Sequence, residues 1–307
     1  MKPKFTRNLF LFLVLLLPFT AHAQAVAPAM AQAARVETVQ FESKLVGKRL
    51  PYNVLLPSDY ATAEARTIRY PVLYLLHGLG GHYTDWVERT RLKEYATLYR
   101  FLIVTPEGNN GWYSDSAGVP GNKYESYILQ ELIPDVQRRY RAIETRDGRA
   151  VAGLSMGGYG ALKFGFKHPE MFAFAASLSG AVTAATWRTP DDLIAIPFIR
   201  QSLSETFGAT PDSPVKQAND LFKFVRELPA ERVAALPYFY LDCGTEDDLK
   251  LFAPNRAFAD LLVEHKIPHE YRQRPGGHRW DYWDAQVQEV LRLAARRLSV
   301  AQAGAAK

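Results

Sequence analysis

The chain has one cysteine, Cys243, among 307 residues. A single thiol cannot close an internal disulfide, so stability has to come from a packed core. Cys243 ends an apolar run and is expected to be a buried, inert thiol. Nucleotide and metal signatures are scarce too. There is no cysteine pair, no phosphate loop ending in Lys-Ser/Thr, and no Gly-x-Gly-x-x-Gly after a strand, so neither a metal nor a cofactor is expected. A large excess of charge of one sign is also absent. The formal excess is +5, of which Lys2, Lys4 and Arg7 contribute three, leaving +2 beyond residue 23. Such a balance gives no electrostatic reason to bind nucleic acid or an anionic membrane surface.

Long hydrophobic runs are confined to the start. Basic residues Lys2, Lys4 and Arg7 precede the apolar stretch Leu9–Phe19, and Ala21-His22-Ala23 supplies small residues for cleavage. Residues 1–23 therefore read as a signal peptide, cut near Ala23, and the mature chain as exported to the periplasm or beyond. The stretch is short for a bilayer span and holds Pro18, so stable membrane insertion after cleavage is not expected. Residues 24–35, rich in Ala and Gln, are expected as a flexible leader, and 301–307 as a disordered tail.

Between them, residues 36–300 read as one α/β domain. Alternation over Val39–Ser43, Gly47–Arg49 and Tyr52–Leu56 predicts antiparallel strands at the start. Continuous apolar runs follow at Val72–Leu76, Phe101–Thr105, Ala150–Leu154, Phe172–Leu178, Tyr238–Cys243 and His269–Arg272. Runs without alternation suit a mostly parallel sheet buried on both faces. Helical patterns near 85–99, 122–140, 156–167, 254–265 and 280–297 would cover it on both sides. Residues 181–236 break the rhythm and are expected as a cap insertion, with Phe198, Phe207, Phe222 and Phe224 buried.

Gly153-Leu154-Ser155-Met156-Gly157 follows one of these runs and opens a helical stretch. Glycines there permit a strained strand-to-helix turn that lifts a serine hydroxyl out of the sheet. Ser155 is thus the candidate nucleophile, and the Met156 amide at the helix start a candidate oxyanion donor. A serine needs a base, and the base an orienting carboxylate. Asp242, Glu246, Asp247 and Asp248 cluster at the end of the Tyr238–Cys243 run, and Asp247 is chosen among them. His278 follows Pro275-Gly276-Gly277 after the last run, completing the order serine, acid, histidine. His77-Gly78-Leu79-Gly80-Gly81 closes the first parallel run, where the Leu79 amide is the expected second oxyanion donor. His77 reads as a hydrogen-bonding support. His168, His265 and His269 sit at element ends and read as structural.

These residues resemble the esterase D family of α/β-hydrolases, which includes S-formylglutathione hydrolases, feruloyl esterases and mycolyltransferases. The likeness rests on His77–Gly81, Pro106-Glu107-Gly108 with Asn110–Tyr113, Tyr124–Tyr127 leading to Glu131–Pro134, Gly153–Tyr159, Gly244–Asp247, and Gly277-His278 with Trp280 and Trp283. It spans about residues 38–296. The resemblance implies an eight-stranded sheet whose second strand is antiparallel, and a Ser155–His278–Asp247 triad. It implies a carboxylic ester hydrolase working through an acyl-enzyme on a small-molecule or carbohydrate-linked ester. The alternative is acyl transfer to a sugar or other alcohol, as in mycolyltransferases, whose acid tends to be Glu and so keeps Glu246 in view. Trp112, Tyr113 and Trp280 are expected to line the substrate pocket.

Overall fold

Eight short runs pair into one sheet: β1 (Arg35–Val39), β2 (Tyr52–Leu56), β3 (Val72–Leu76), β4 (Leu102–Pro106), β5 (Arg149–Leu154), β6 (Phe174–Leu178), β7 (Tyr238–Gly244) and β8 (His269–Arg274). This computed structural model describes Met1 and residues 33–186, 196–210 and 213–298. The expected signal peptide with its cleavage point, most of the leader and the tail lie outside the described residues. By contacts the chain divides into Met1–Ala31 and Gln32–Lys307, and the architecture here is that of the second unit.

The spatial order is β1-β2-β4-β3-β5-β6-β7-β8. β2 runs against both of its neighbours, and every other pairing in the sheet is parallel. The antiparallel start is shifted from the sequence expectation. The partner of β2 is Arg35–Val39, with Val36 opposite Leu55, whereas Glu42–Ser43 and Lys48–Arg49 form a small hairpin of their own. Glu131 explains the shift. Its carboxylate accepts hydrogen bonds from the Ser43 hydroxyl at 2.5 Å and the Lys44 amide at 2.9 Å, drawing that hairpin off the sheet.

Residues of β3 show why its sequence does not alternate. Val72, Tyr74 and Leu76 enter one apolar layer, while Leu73 and Leu75 enter the other. Each such side chain, fully buried, contributes roughly 1.5–3 kcal/mol. The α-helices of six residues or more, among the described residues, are α1 (Ile133–Arg139), α2 (Met156–Lys167), α3 (Pro197–Phe207), α4 (Leu221–Arg226), α5 (Phe252–Glu264) and α6 (Trp280–Arg297). Leu162 and Phe164 of α2, with Phe258 and Leu262 of α5, fill the first layer. Val287, Val290, Leu291 and Ala294 of α6 fill the second.

Two expected helices are interrupted, each for a local reason. The 85–99 segment splits into Asp85–Glu88 and Leu92–Tyr95. Between them the Thr90 hydroxyl donates to the Trp86 carbonyl at 2.5 Å and accepts from the Leu92 amide at 3.1 Å, replacing backbone bonds. The 122–140 segment passes through a π-helical stretch, Tyr127–Leu132, before α1. Pro134 has no amide to give, and its ring would collide with a carbonyl one turn back in an unbroken α-helix.

The 181–236 insertion contains α3, α4 and shorter turns, and no strand among its described residues. Phe207, Leu221 and Val225 have no exposed surface and anchor it to the first layer. Phe222 and Phe224 are half-buried, and Phe198 is 49% exposed, so the expectation that all four phenylalanines are buried holds only for Phe207. Phe198 lies at the start of α3, within the cap. No helix among the described residues is long and apolar enough to cross a membrane.

Candidate active site

Ser155 joins β5 to α2 with φ 53° and ψ −116°. A non-glycine residue in that region costs of the order of 1–3 kcal/mol and persists only where its surroundings hold it. Here they do. The Ser155 amide donates to Leu178 at 2.9 Å, and its carbonyl accepts from Tyr159 at 3.0 Å and Ala181 at 3.1 Å. Two glycines make the turn possible. A Cβ on Gly153 would lie 2.5 Å from the Gly157 carbonyl carbon, and one on Gly157 would lie 2.5 Å from the Leu76 oxygen. The hydroxyl therefore stands at the C-terminal edge of the sheet, beside the end of β3.

Asp247 follows the end of β7 and its side chain is fully buried, whereas Glu246 and Asp248 are exposed. Asp247 Oδ1 accepts from the Leu249 amide at 3.0 Å, and Oδ2 lies 2.8 Å from His278 Nδ1. On the other side of the ring, His278 Nε2 lies 3.0 Å from Ser155 Oγ. With Nδ1–H given to the carboxylate, Nε2 is the free acceptor for the serine proton. Backbone bonds tie the two loops together: Thr245 donates to Arg274 at 2.9 Å and Glu246 to Gly276 at 3.0 Å. The Trp283 ring meets the imidazole edge-on at 4.8 Å between centroids and donates through Nε1 to Ser179 at 3.3 Å. Asp242 is buried but engaged elsewhere, with the Tyr240 and Tyr282 hydroxyls. Burial raises its pKa against the lowering effect of those two donors.

The loop after β3 lies against the serine. A Cβ on Gly78 would sit 3.5 Å from Ser155 Cβ. His77 Nδ1 lies 2.8 Å from the Gly78 carbonyl, which also accepts from Gly81 at 3.1 Å. That carbonyl shares a rigid peptide plane with the Leu79 N–H, so fixing one aims the other. Gly80 donates to Asn110 at 2.8 Å, Gly108 donates to His77 Nε2 at 2.9 Å, and the Tyr113 hydroxyl donates to the His77 carbonyl at 3.1 Å. Met156, as first residue of α2, has an amide with no partner inside the helix. Glu107 sits below this loop. Burial would raise its carboxyl, but His77 and the Asn109 and Tyr83 amides outweigh it and hold it below the usual range.

The three aromatics expected at the pocket are packed among protein groups. Trp112 is 3% exposed, with Nε1 donating to Ser202 at 3.1 Å, and Tyr113 has no exposed surface. Trp280 is half-buried between Trp86 and Trp283, with Arg89 over its ring. Sequence reasoning overlooked Lys163, which has no exposed surface and lies on α2. The signal was there: residues 156–167 have no polar face for a lysine to occupy. His265 and His269 are four apart in sequence, but Pro268 and a helix end lie between them. No cluster of three or more metal-binding side chains occurs among the described residues.

The sequence matches the Esterase family, described as "Putative esterase", over residues 43–293. It is 33% identical over 257 residues to an esterase of Mycobacterium tuberculosis, covering 78% of this chain and 54% of that protein. The chain thus spans about half the length of that relative. It is 28% identical over 254 residues to an acetyl esterase of Caldicellulosiruptor saccharolyticus, covering 81% and 94% respectively. A fluorophosphonate-binding serine hydrolase of Staphylococcus aureus superposes with a TM-score of 0.72 at 25% identity, covering 86% of this chain and 99% of that one.

Proposed function

The chain belongs to the Esterase family, and from that premise we propose that it hydrolyses carboxylic esters through an acyl-enzyme on Ser155. The observation that carries this is the unbroken line from Asp247 through His278 to Ser155, with separations of 2.8 and 3.0 Å. Ser155 Oγ attacks the ester carbonyl while its proton passes to His278 Nε2. The Met156 and Leu79 amides receive the oxyanion, and a well-placed donor of this kind is worth about 10²–10³ in turnover. His278 then protonates the departing alkoxide. Water, deprotonated by the same nitrogen, releases the acid and restores the serine. Asp247 stays ionised throughout, orienting the ring and stabilising the imidazolium.

The substrate is read as a small-molecule or carbohydrate-linked ester with a short acyl group, in keeping with the acetyl esterase among the relatives. Export through residues 1–23 belongs to the same reading and places that substrate outside the cytoplasm. Labelling with a fluorophosphonate probe tests the core of it. Ser155 should be the labelled residue, and Ser155→Ala should remain folded, unlabelled and on the order of a millionfold slower. A labelled S155A protein would overturn the assignment. A panel of p-nitrophenyl esters with methyl ferulate and acetylated xylan then sorts the substrates.

A further inference from the structure

Two bulky residues in succession, Trp112 and Tyr113, have φ of 51° and 49°. Left-handed backbone at consecutive aromatics does not persist without something to hold it. The holder is Lys163, two turns along α2 from Ser155. Its Nζ donates to the Tyr113 carbonyl at 2.6 Å, to Ser114 Oγ at 2.6 Å and to Glu125 Oε2 at 2.8 Å. Ser114 passes the grip on by donating to the Trp112 carbonyl at 3.0 Å. One buried cation thereby fixes residues 112–114 together.

The far end of Tyr113 is where this bears on the chemistry. Its ring fills a slot lined by glycine: a Cβ on Gly108 would lie 2.5 Å from it, and one on Gly160 2.8 Å. From that slot its hydroxyl holds the His77 carbonyl. The next peptide plane is Gly78–Leu79, whose amide is the oxyanion donor assigned above. We propose that Lys163, paired with Glu125, is a positioning residue for the oxyanion loop, acting through Tyr113, and that turnover requires the Lys163 side chain to be charged. This rests on the esterase reading of the Ser155 site.

Charge matters because the site has three acceptors. An ammonium has three hydrogens to give, and a neutral amine has two and a lone pair, so deprotonation releases Tyr113, Ser114 or Glu125, or turns the Ser114 hydroxyl from the Trp112 carbonyl to the amine. Burial pushes Lys163 down to about 8. Glu125 pulls the other way, but its carboxylate is shared with Lys167 at 2.7 Å and His168 at 3.1 Å. Lys167 adds to the lowering and Asp115 opposes it. The remaining neighbours of Nζ are the rings of Tyr159 and Phe164. Because Glu125 keeps Lys167 and His168, Lys163→Met does not leave a buried carboxylate alone.

The test compares wild type, Lys163→Met and Tyr113→Phe with p-nitrophenyl acetate from pH 6 to 10, with a thermal melt of each. At pH 7 both variants should lose about ten- to a hundredfold in kcat with KM nearly unchanged, the mark of a misaimed transition-state donor. Wild-type kcat should fall above about pH 8, and this fall should be missing from K163M. A folded K163M with wild-type kcat and the same alkaline fall overturns the proposal. If K163M does not fold, Y113F decides, since it keeps the ion pair: full kcat there overturns the proposal equally. A wild type that is neither labelled by fluorophosphonate nor active defeats the esterase reading itself.

Discussion

His278 Nε2 lies 3.0 Å from Ser155 Oγ, though 123 positions of sequence separate the two residues. The imidazole reaches that point only because Asp247 holds its other nitrogen, and asparagine there would keep the size and lose the charge. Asp247→Asn should lower kcat by on the order of 10⁴ while leaving the fold intact. Glu246→Gln and Asp248→Asn change exposed side chains and should leave rates within about twofold. If the Glu246 variant were the crippled one, the acid has been assigned to the wrong neighbour.

Gly157→Ala should be unusually costly for so small a change. The new methyl would lie 2.5 Å from the Leu76 oxygen and 2.6 Å from the His77 oxygen, both backbone atoms that cannot swing aside. A loss of about 1–3 kcal/mol is expected in urea unfolding. Turnover should drop as well, because His77 leads into the proposed oxyanion loop. Gly121→Ala is the control, having nothing within 4 Å of its added methyl.

How far the sequence carries the argument depends on range. The strands were legible because each is buried on both faces, so Val72–Leu76 reads as an apolar run whatever its neighbours. The elbow was legible because Gly153, Ser155 and Gly157 meet within five residues. Asp247 was chosen over Glu246 and Asp248 with no local signal to fix it, since the choice depends on which of three adjacent side chains the turn after β7 directs inward. Arg35–Val39 was missed as a strand, because only its tertiary pairing with β2 distinguishes it from the alternating stretch that follows. Tyr113 was read as a pocket wall for the same reason: its contacts with Gly108, Gly160 and His77 are all tertiary.

Acid should weaken the fold partly through Glu125. Burial raises its carboxyl, but Lys163, His168 and Lys167 outweigh burial and hold it well below the ordinary range. An unfolded chain, with Glu near its usual value of about 4.3, binds that proton first. The stabilisation is therefore complete above about pH 4.3 and is lost progressively as pH falls toward the folded-state value. Glu125→Gln should be less stable at neutral pH and should show a flatter urea midpoint between about pH 5 and 3. Parallel curves for the two proteins would argue against it.

Cap residue Phe198 should bear on substrate choice. A Cβ on Gly80, within the proposed oxyanion loop, would lie 3.8 Å from Phe198 Cε1, and the ring is 49% exposed. Phe198→Ala should shift the ratio of kcat/KM for p-nitrophenyl butyrate over acetate several-fold with little change in melting temperature. Removing the whole cap is a poorer experiment, since Phe207 packs on Trp112 and Tyr159. An unchanged ratio in F198A would show that the ring stands clear of the substrate.

Position within the sheet also divides the site into parts of unequal durability. Ser155 hangs from β5, which has a strand on each side and no exposed residue. His278 follows β8, which pairs only with β7 and has no buried residue along its length. Marginal strands of this kind open in smaller cooperative units than the whole domain. Mild denaturant should therefore silence the enzyme before the central strands give up their amide protons. On the proposed mechanism, catalysis would then report the docking of the last strand, and a chain stalled short of that step would be folded at its centre and inert at its serine.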